Sequence, residues 1–170
     1  QNFSARSVVI AAGGFAAKPV LWAVPDGVFD STALSLSELT WTTMDMTGDG
    51  RPDLVQTEDP KHEGLAFGGK SDPHWRLYVN TGGGFAKTAK KWAVPDGMFE
   101  MPAVAIGQYT WSTIDLNRDG RPDLVHTENP DKSGRSFGGA TTPHWRVYLG
   151  GTAGFAKTAK KWAVGDENFD

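Results

Sequence analysis

In "DMTGDGRPD", Asp45, Thr47, Asp49 and Asp53 place side-chain oxygens at positions 1, 3, 5 and 9 of a short loop. Asp115, Asn117, Asp119 and Asp123 take the same places in "DLNRDGRPD". Position 7 is Arg51 or Arg121, where a backbone carbonyl would serve, and Gly50 or Gly120 at position 6 permits a sharp turn. Such spacing turns the oxygens around one centre. Hard, flexible oxygen donors suit Ca2+ better than Mg2+, and better than Zn2+, which favours His or Cys. Without an ion, the three carboxylates of each loop would repel one another. An EF-hand is excluded, because position 12 is Gln56 or His126 instead of a bidentate Glu and the flanks read as strands. Calcium is the expected cofactor. Thr47 stands where the second loop has Asn117, so the first loop is expected to ligate through a hydroxyl or a water and to bind more weakly.

A second group of residues surrounds a long loop, "DPKHEGLAFGGKSDP" at 59–73 and "NPDKSGRSFGGATTP" at 129–143. Loops of this length tend to be functional or disordered. Glu58, Phe67, His74 and Arg76 recur as Glu128, Phe137, His144 and Arg146. An aromatic ring beside carboxylate, imidazole and guanidinium groups can take a sugar, the ring covering an apolar C–H face and the polar groups meeting hydroxyls. The competing reading is structural: Phe67 plugs the loop, and His74 and Arg76 satisfy buried carbonyls. Residue by residue the structural reading is the stronger; for the whole repeated loop, binding is. Catalysis has little support. No G-x-S-x-G is present, "HEG" at 62–64 is not H-E-x-x-H, and sequence spacing cannot show the carboxylate separation that a glycosidase or lyase needs.

The elements that position these groups come from a repeat. Residues 111–170 match 41–100 at 35 of 60 positions, too many for chance, and "GFAKTAKKWAV" at 84–94 returns unchanged at 154–164. The segment 8–27 falls in the same register as 78–97, so the 170 residues make about 2.4 copies of a 70-residue unit. Each full unit reads as four short strands: "TWTTMDM" (40–46), "PDLVQTE" (52–58), "HWRLYVN" (74–80) and "GFAKTAKKWAV" (84–94). Lys87, Lys90 and Lys91 mark the last as an exposed outer edge. Helical stripes are few, and 21 Gly and 10 Pro punctuate the chain, so the class is all-β. Repeated four-stranded antiparallel units are the pattern of β-propeller blades. A tandem pair of β-sandwiches is the alternative. One 70-residue unit is too thin to bury both faces of its sheet without a neighbour.

With its aspartate loop, aromatic third strand and "GGGF" or "AGF" turn, each unit resembles the FG-GAP/VCBS repeat family. That family includes the calcium-loop blades of integrin α-subunit propellers and of fungal lectins similar to the Psathyrella velutina lectin. The resemblance implies a propeller, calcium in both loops and a carbohydrate-binding, lectin-like role. A structural or protein-interaction propeller without a small ligand is the alternative. The expected organisation is one partial propeller: a half blade at 1–30 and calcium-loop blades at 31–100 and 101–170.

Propellers close with about four to eight blades, so the ring is expected to be completed by other copies, as a homo-oligomeric dimer or trimer. Rings such as Trp75 and Trp145 would otherwise lie exposed. The alternative is a piece of a longer propeller. A net charge of −3 argues against nucleic acid as a partner, and no apolar run is long enough to span a membrane. Cysteine is absent, which fits a cytosolic or a bacterial secreted protein. Gln1 is an unusual start that a removed signal peptide or a cropped chain would equally explain, and a secreted or extracellular location is the expectation.

Overall fold

The computed structural model describes residues 22–24, 41–62, 65–95, 111–132 and 134–165. Most of the expected half blade at 1–30 lies outside these residues. Among these residues, eight strands form two antiparallel sheets. The first holds β1 (Trp41–Met44), β2 (Asp53–Gln56), β3 (His74–Tyr78) and β4 (Lys90–Ala93). The second holds β5 (Trp111–Ile114), β6 (Asp123–His126), β7 (His144–Tyr148) and β8 (Lys160–Ala163). Each sheet runs in sequence order, β1-β2-β3-β4 and β5-β6-β7-β8, as an up-and-down meander. Among the described residues, a 3-10 turn, Gly139–Thr141, lies in the second long loop. The two sheets pack as neighbouring blades, not as independent sandwiches.

Strand alternation explains how. Thr42 pairs with Val55, Val55 with Leu77 and Trp75 with Trp92, so these residues share one face of the first sheet. That face packs on Trp111, Leu124 and Tyr148 of the second sheet. Val55, Trp75, Leu77, Trp92 and Leu124 are all at most 2% exposed, so the core sits between the blades. The expectation that Trp75 would be an exposed flank is corrected: the second sheet covers it. Its counterpart Trp145 is half-buried.

The fourth strands are shorter than expected, Lys90–Ala93 against a sequence reading of 84–94. The reason is a competing main-chain partner. Phe85 N donates to Ala23 O at 2.8 Å, and Phe155 N donates to Ala93 O at 2.9 Å. Gly84 and Gly154 make parallel bridges to Ala23 and Ala93. The start of each fourth strand is thus shared: it bridges Asn80 or Gly150 of its own unit and also bonds to the preceding one, and a bend at 87–88 or 157–158 sets it apart from the rest of the strand. No side chain fits at these crossings: a Cβ on Gly154 would lie 2.6 Å from Ala93 Cβ. Phe155 then stands edge-on to Trp75 and Trp92, with centroids 5.4 and 6.0 Å away. Lys87, Lys90 and Lys91 are exposed along the outer edge as expected, and Lys91 pairs with Asp72.

Candidate functional site

The aspartate loops join β1 to β2 and β5 to β6. Each is wound around its first carboxylate. Asp45 Oδ1 accepts from Gly48 N (2.8 Å) and Asp49 N (3.0 Å), and Oδ2 accepts from Gly50 N (2.7 Å). Asp115 accepts from Asp119 N and Gly120 N at 3.1 and 3.0 Å. Gly50 and Gly120 hold φ of 83° and 86°, the left-handed turn expected at position 6.

The last aspartate of each loop is an anchor. Asp53 is fully buried at the start of β2; it accepts from Met46 N and Thr47 N at 3.1 Å and from Asn80 N at 2.8 Å. It therefore ties the aspartate loop to the β3–β4 turn, and both turns lie at one end of the blade. Asp123 repeats this with Leu116 N (3.1 Å) and Gly150 N (2.8 Å). Burial raises the Asp53 carboxyl above the ordinary range, and its hydrogen bonds from Asn80, Thr47 and Met46 oppose that rise.

The middle residues differ between the copies. Asp49 accepts from Arg51 Nη2 at 2.6 Å and Arg51 N at 2.9 Å, which hold it below the usual carboxylate range. Asp119 is lowered instead by the Asn117 side-chain amide at 2.9 Å and by Arg121 N. Arg118 is the one described non-glycine residue at positive φ, 62°. Its counterpart is Gly48, where a Cβ would lie 3.0 Å from Arg121 Cγ of the neighbouring loop. The first loop needs glycine there because the second blade leans on it.

These donors fit a hard cation in type. Asp45 offers four lone pairs, of which the loop amides take three. Thr47 Oγ1 is buried close to Asp49 without a well-formed hydrogen bond, at the position expected to ligate. The carboxylates do not converge, however: among the described residues no group of three acidic or imidazole side chains is placed to hold a metal. Ligation by Asp49 would displace its Arg51 ion pair, whereas ligation by Asp119 would only turn an amide.

The long-loop group is brought together at the opposite end. Phe67 and His74 exchange both main-chain hydrogen bonds, Phe67 N to His74 O at 3.1 Å and His74 N to Phe67 O at 3.0 Å. Their rings stack at 6.0 Å. Arg76 Cζ lies 4.0 Å above the Phe67 ring, and Arg146 Cζ lies 4.0 Å above Phe137. Both phenylalanines are 3% exposed, so their rings are closed between imidazole and guanidinium. His74 Nδ1 meets Asp72 O at 2.7 Å, and His144 Nδ1 meets Thr142 O at 2.8 Å. Glu128 accepts from Gly134 N at 2.7 Å within its loop, and Glu58 is partly buried. Arg76 and Arg146 remain exposed.

Sequence reasoning missed His126 as a feature in its own right. It lies opposite Arg146 in the β6–β7 register, stacks on Trp111 at 3.8 Å and 10°, and meets the Phe137 edge at 5.0 Å. Burial, then the Arg146 charge, lowers its pKa to about 4, against a raising influence of Glu128. The signal was available: His126 replaces Gln56 at the same register, a titratable group substituted for a neutral one.

Residues 45–126 match the family profile described as an FG-GAP-like repeat, starting at the first aspartate of one loop and ending with the strand after the other. This segment, just under half of the chain, is similar to an FG-GAP-like repeat. The match brings no ligand with it. No curated protein and no solved structure matches the chain significantly. The two sheets are consistent with propeller-type blades: four-stranded, antiparallel and packed face to face.

Proposed function

We propose that this chain is a calcium-braced propeller module that binds carbohydrate at repeated sites, without catalysis. The observation that carries the reading is duplication of the long-loop geometry: in both blades a guanidinium lies 4.0 Å over a buried phenylalanine and remains open to solvent. A guanidinium held flat is a pre-organised planar donor, suited to vicinal hydroxyls or to the carboxylate of an acidic sugar. Two such donors in one chain favour a multivalent ligand, because weak identical sites add avidity. Phe67 and Phe137 would hold the arginines and not stack on the sugar. Calcium would be held by Asp45, Thr47 and Asp49 and by Asp115, Asn117 and Asp119, with Asp53 and Asp123 as anchors; it would neutralise the clustered carboxylates and stiffen the turn end. The buried, unsatisfied Thr47 hydroxyl supports this.

The sealed phenylalanine rings favour a second reading, a protein-interaction propeller with no sugar ligand. A glycan array probed with labelled protein, in calcium and in EGTA, separates the two. Binding to one glycan class, lost when Arg76→Ala and Arg146→Ala are combined, is the expected result. No glycan above background in calcium leaves the interaction module.

A further inference from the structure

The two sheets carry nearly the same residues in the same registers, yet one face is covered in the first and open in the second. Trp92 is 2% exposed and its counterpart Trp162 is 39% exposed. Met44 packs against the core, whereas its counterpart Ile114 is 52% exposed. Ile114 and Trp162 are the exposed large hydrophobics among the described residues, and alternation puts both on the same face as Val125, Trp145 and Val147. On the first sheet the corresponding rings are closed by Phe155, set edge-on against Trp75 and Trp92 and fixed by Phe155 N to Ala93 O and Ala93 N to Ala153 O. The same plug occurs one repeat earlier, with Phe85 edge-on to Trp22 at 6.1 Å and Phe85 N on Ala23 O. Two successive junctions therefore use one device: a glycine-phenylalanine turn seated on the tryptophan face and fourth strand of the preceding unit.

We propose that the open face bearing Trp145 and Trp162 receives the corresponding turn of a second copy of this chain, so that copies associate head to tail. The sequence names the occupant. "GGF" at 13–15 falls in register with "GGF" at 83–85 and "AGF" at 153–155, which makes Phe15 the counterpart of Phe85 and Phe155. Residues 13–15 lie outside the described residues and enter here by sequence register alone. The expected contact is heterologous, and a ring results where the blade-to-blade rotation closes. Ala163 is exposed, as Ala93 is beside its existing partner, so its main chain is placed to repeat the Ala93 hydrogen bonds.

The test is light scattering on the whole chain with one variant at each side of the contact. Unaltered protein is expected at two or three times its 18.3 kDa. Phe15→Glu and Trp162→Glu are each expected to be monomeric. Far-UV circular dichroism matching the unaltered chain shows that each has folded. Mixed in equal amounts, they should form a dimer, because one retains the face and the other retains the turn. Unaltered protein that stays monomeric at micromolar concentration overturns the proposal. So do folded single variants that still associate, or a mixture that does not. Sugar binding plays no part in these readouts.

Discussion

His126 is expected to make the second blade acid-sensitive in a way the first is not. Its pKa falls from an ordinary 6.5 to about 4, with burial the larger cause and Arg146 the next. A lowered histidine pKa means that the unfolded chain takes up a proton that the folded chain refuses. Stability is therefore full above pH 6.5 and declines as pH falls toward 4. With those two values the loss at pH 5 is ~2 kcal/mol, approaching ~3 kcal/mol below pH 4. An opposing effect exists: imidazolium stacked on Trp111 at 3.8 Å would gain about 0.5–2 kcal/mol of cation–π attraction. Desolvation and the Arg146 charge should outweigh it. The variant is His126→Gln, since Gln56 occupies this register in the first blade and is 7% exposed there. Urea unfolding at pH 7.5 and pH 5.0, at fixed ionic strength, gives the loss for each protein. Contributions shared by both, including that of Asp53, cancel in the difference. The unaltered chain should lose ~2 kcal/mol more than the variant. Equal losses, or a variant that suffers more in acid, would refute the account.

The remaining expectations concern the loops and the blade junction. Arg118→Gly should stabilise the chain by ~0.5–1 kcal/mol in chemical denaturation, because it relieves a left-handed φ of 62°. Phe155→Ala should destabilise by about 3–5 kcal/mol and red-shift tryptophan emission as Trp75 and Trp92 meet water. Gly154→Ala should also destabilise, by at least ~1 kcal/mol in urea, since its Cβ would collide with Ala93. Calcium at about a hundred times the dissociation constant should add ~2.7 kcal/mol per occupied loop. Melts in EGTA and in added calcium check this, and Asp115→Ala should remove more of the shift than Asp45→Ala, because Arg51 already occupies Asp49.

The fold was legible because the unit is repeated: a pattern seen twice at one spacing marks its own turns, and the four strands of each sheet begin within a residue or so of their expected starts, the last excepted. That strand could not be read in full because its first residues are shared between their own unit and the preceding one and are cut off by a bend, and local pattern carries no address for the second partner. The loop glycines follow from spacing and chemistry; the burial of the last aspartate did not, since spacing reads Asp53 and Asp123 as ligands beside the others, and only the folded backbone brings Met46 N, Asn80 N and Gly150 N to them. The fate of Phe67 did not, since a conspicuous ring in a long loop reads alike whether it faces a ligand or an arginine four ångströms away. The effect on His126 was hidden for a related reason. It arises from Trp111 below and Arg146 alongside, which are neighbours only once the strands pair.

The junction at Ala93 is made by main-chain atoms, with a glycine opposite and one aromatic ring beyond it. Its demands on sequence are therefore few: a small residue, a missing Cβ and a phenylalanine. A gene segment encoding one unit would carry both halves of that joint, so in-frame copying yields a product whose new seam fits at once. Divergence of the long loops can follow without disturbing it, which makes the array extensible and its opposite rim free to vary.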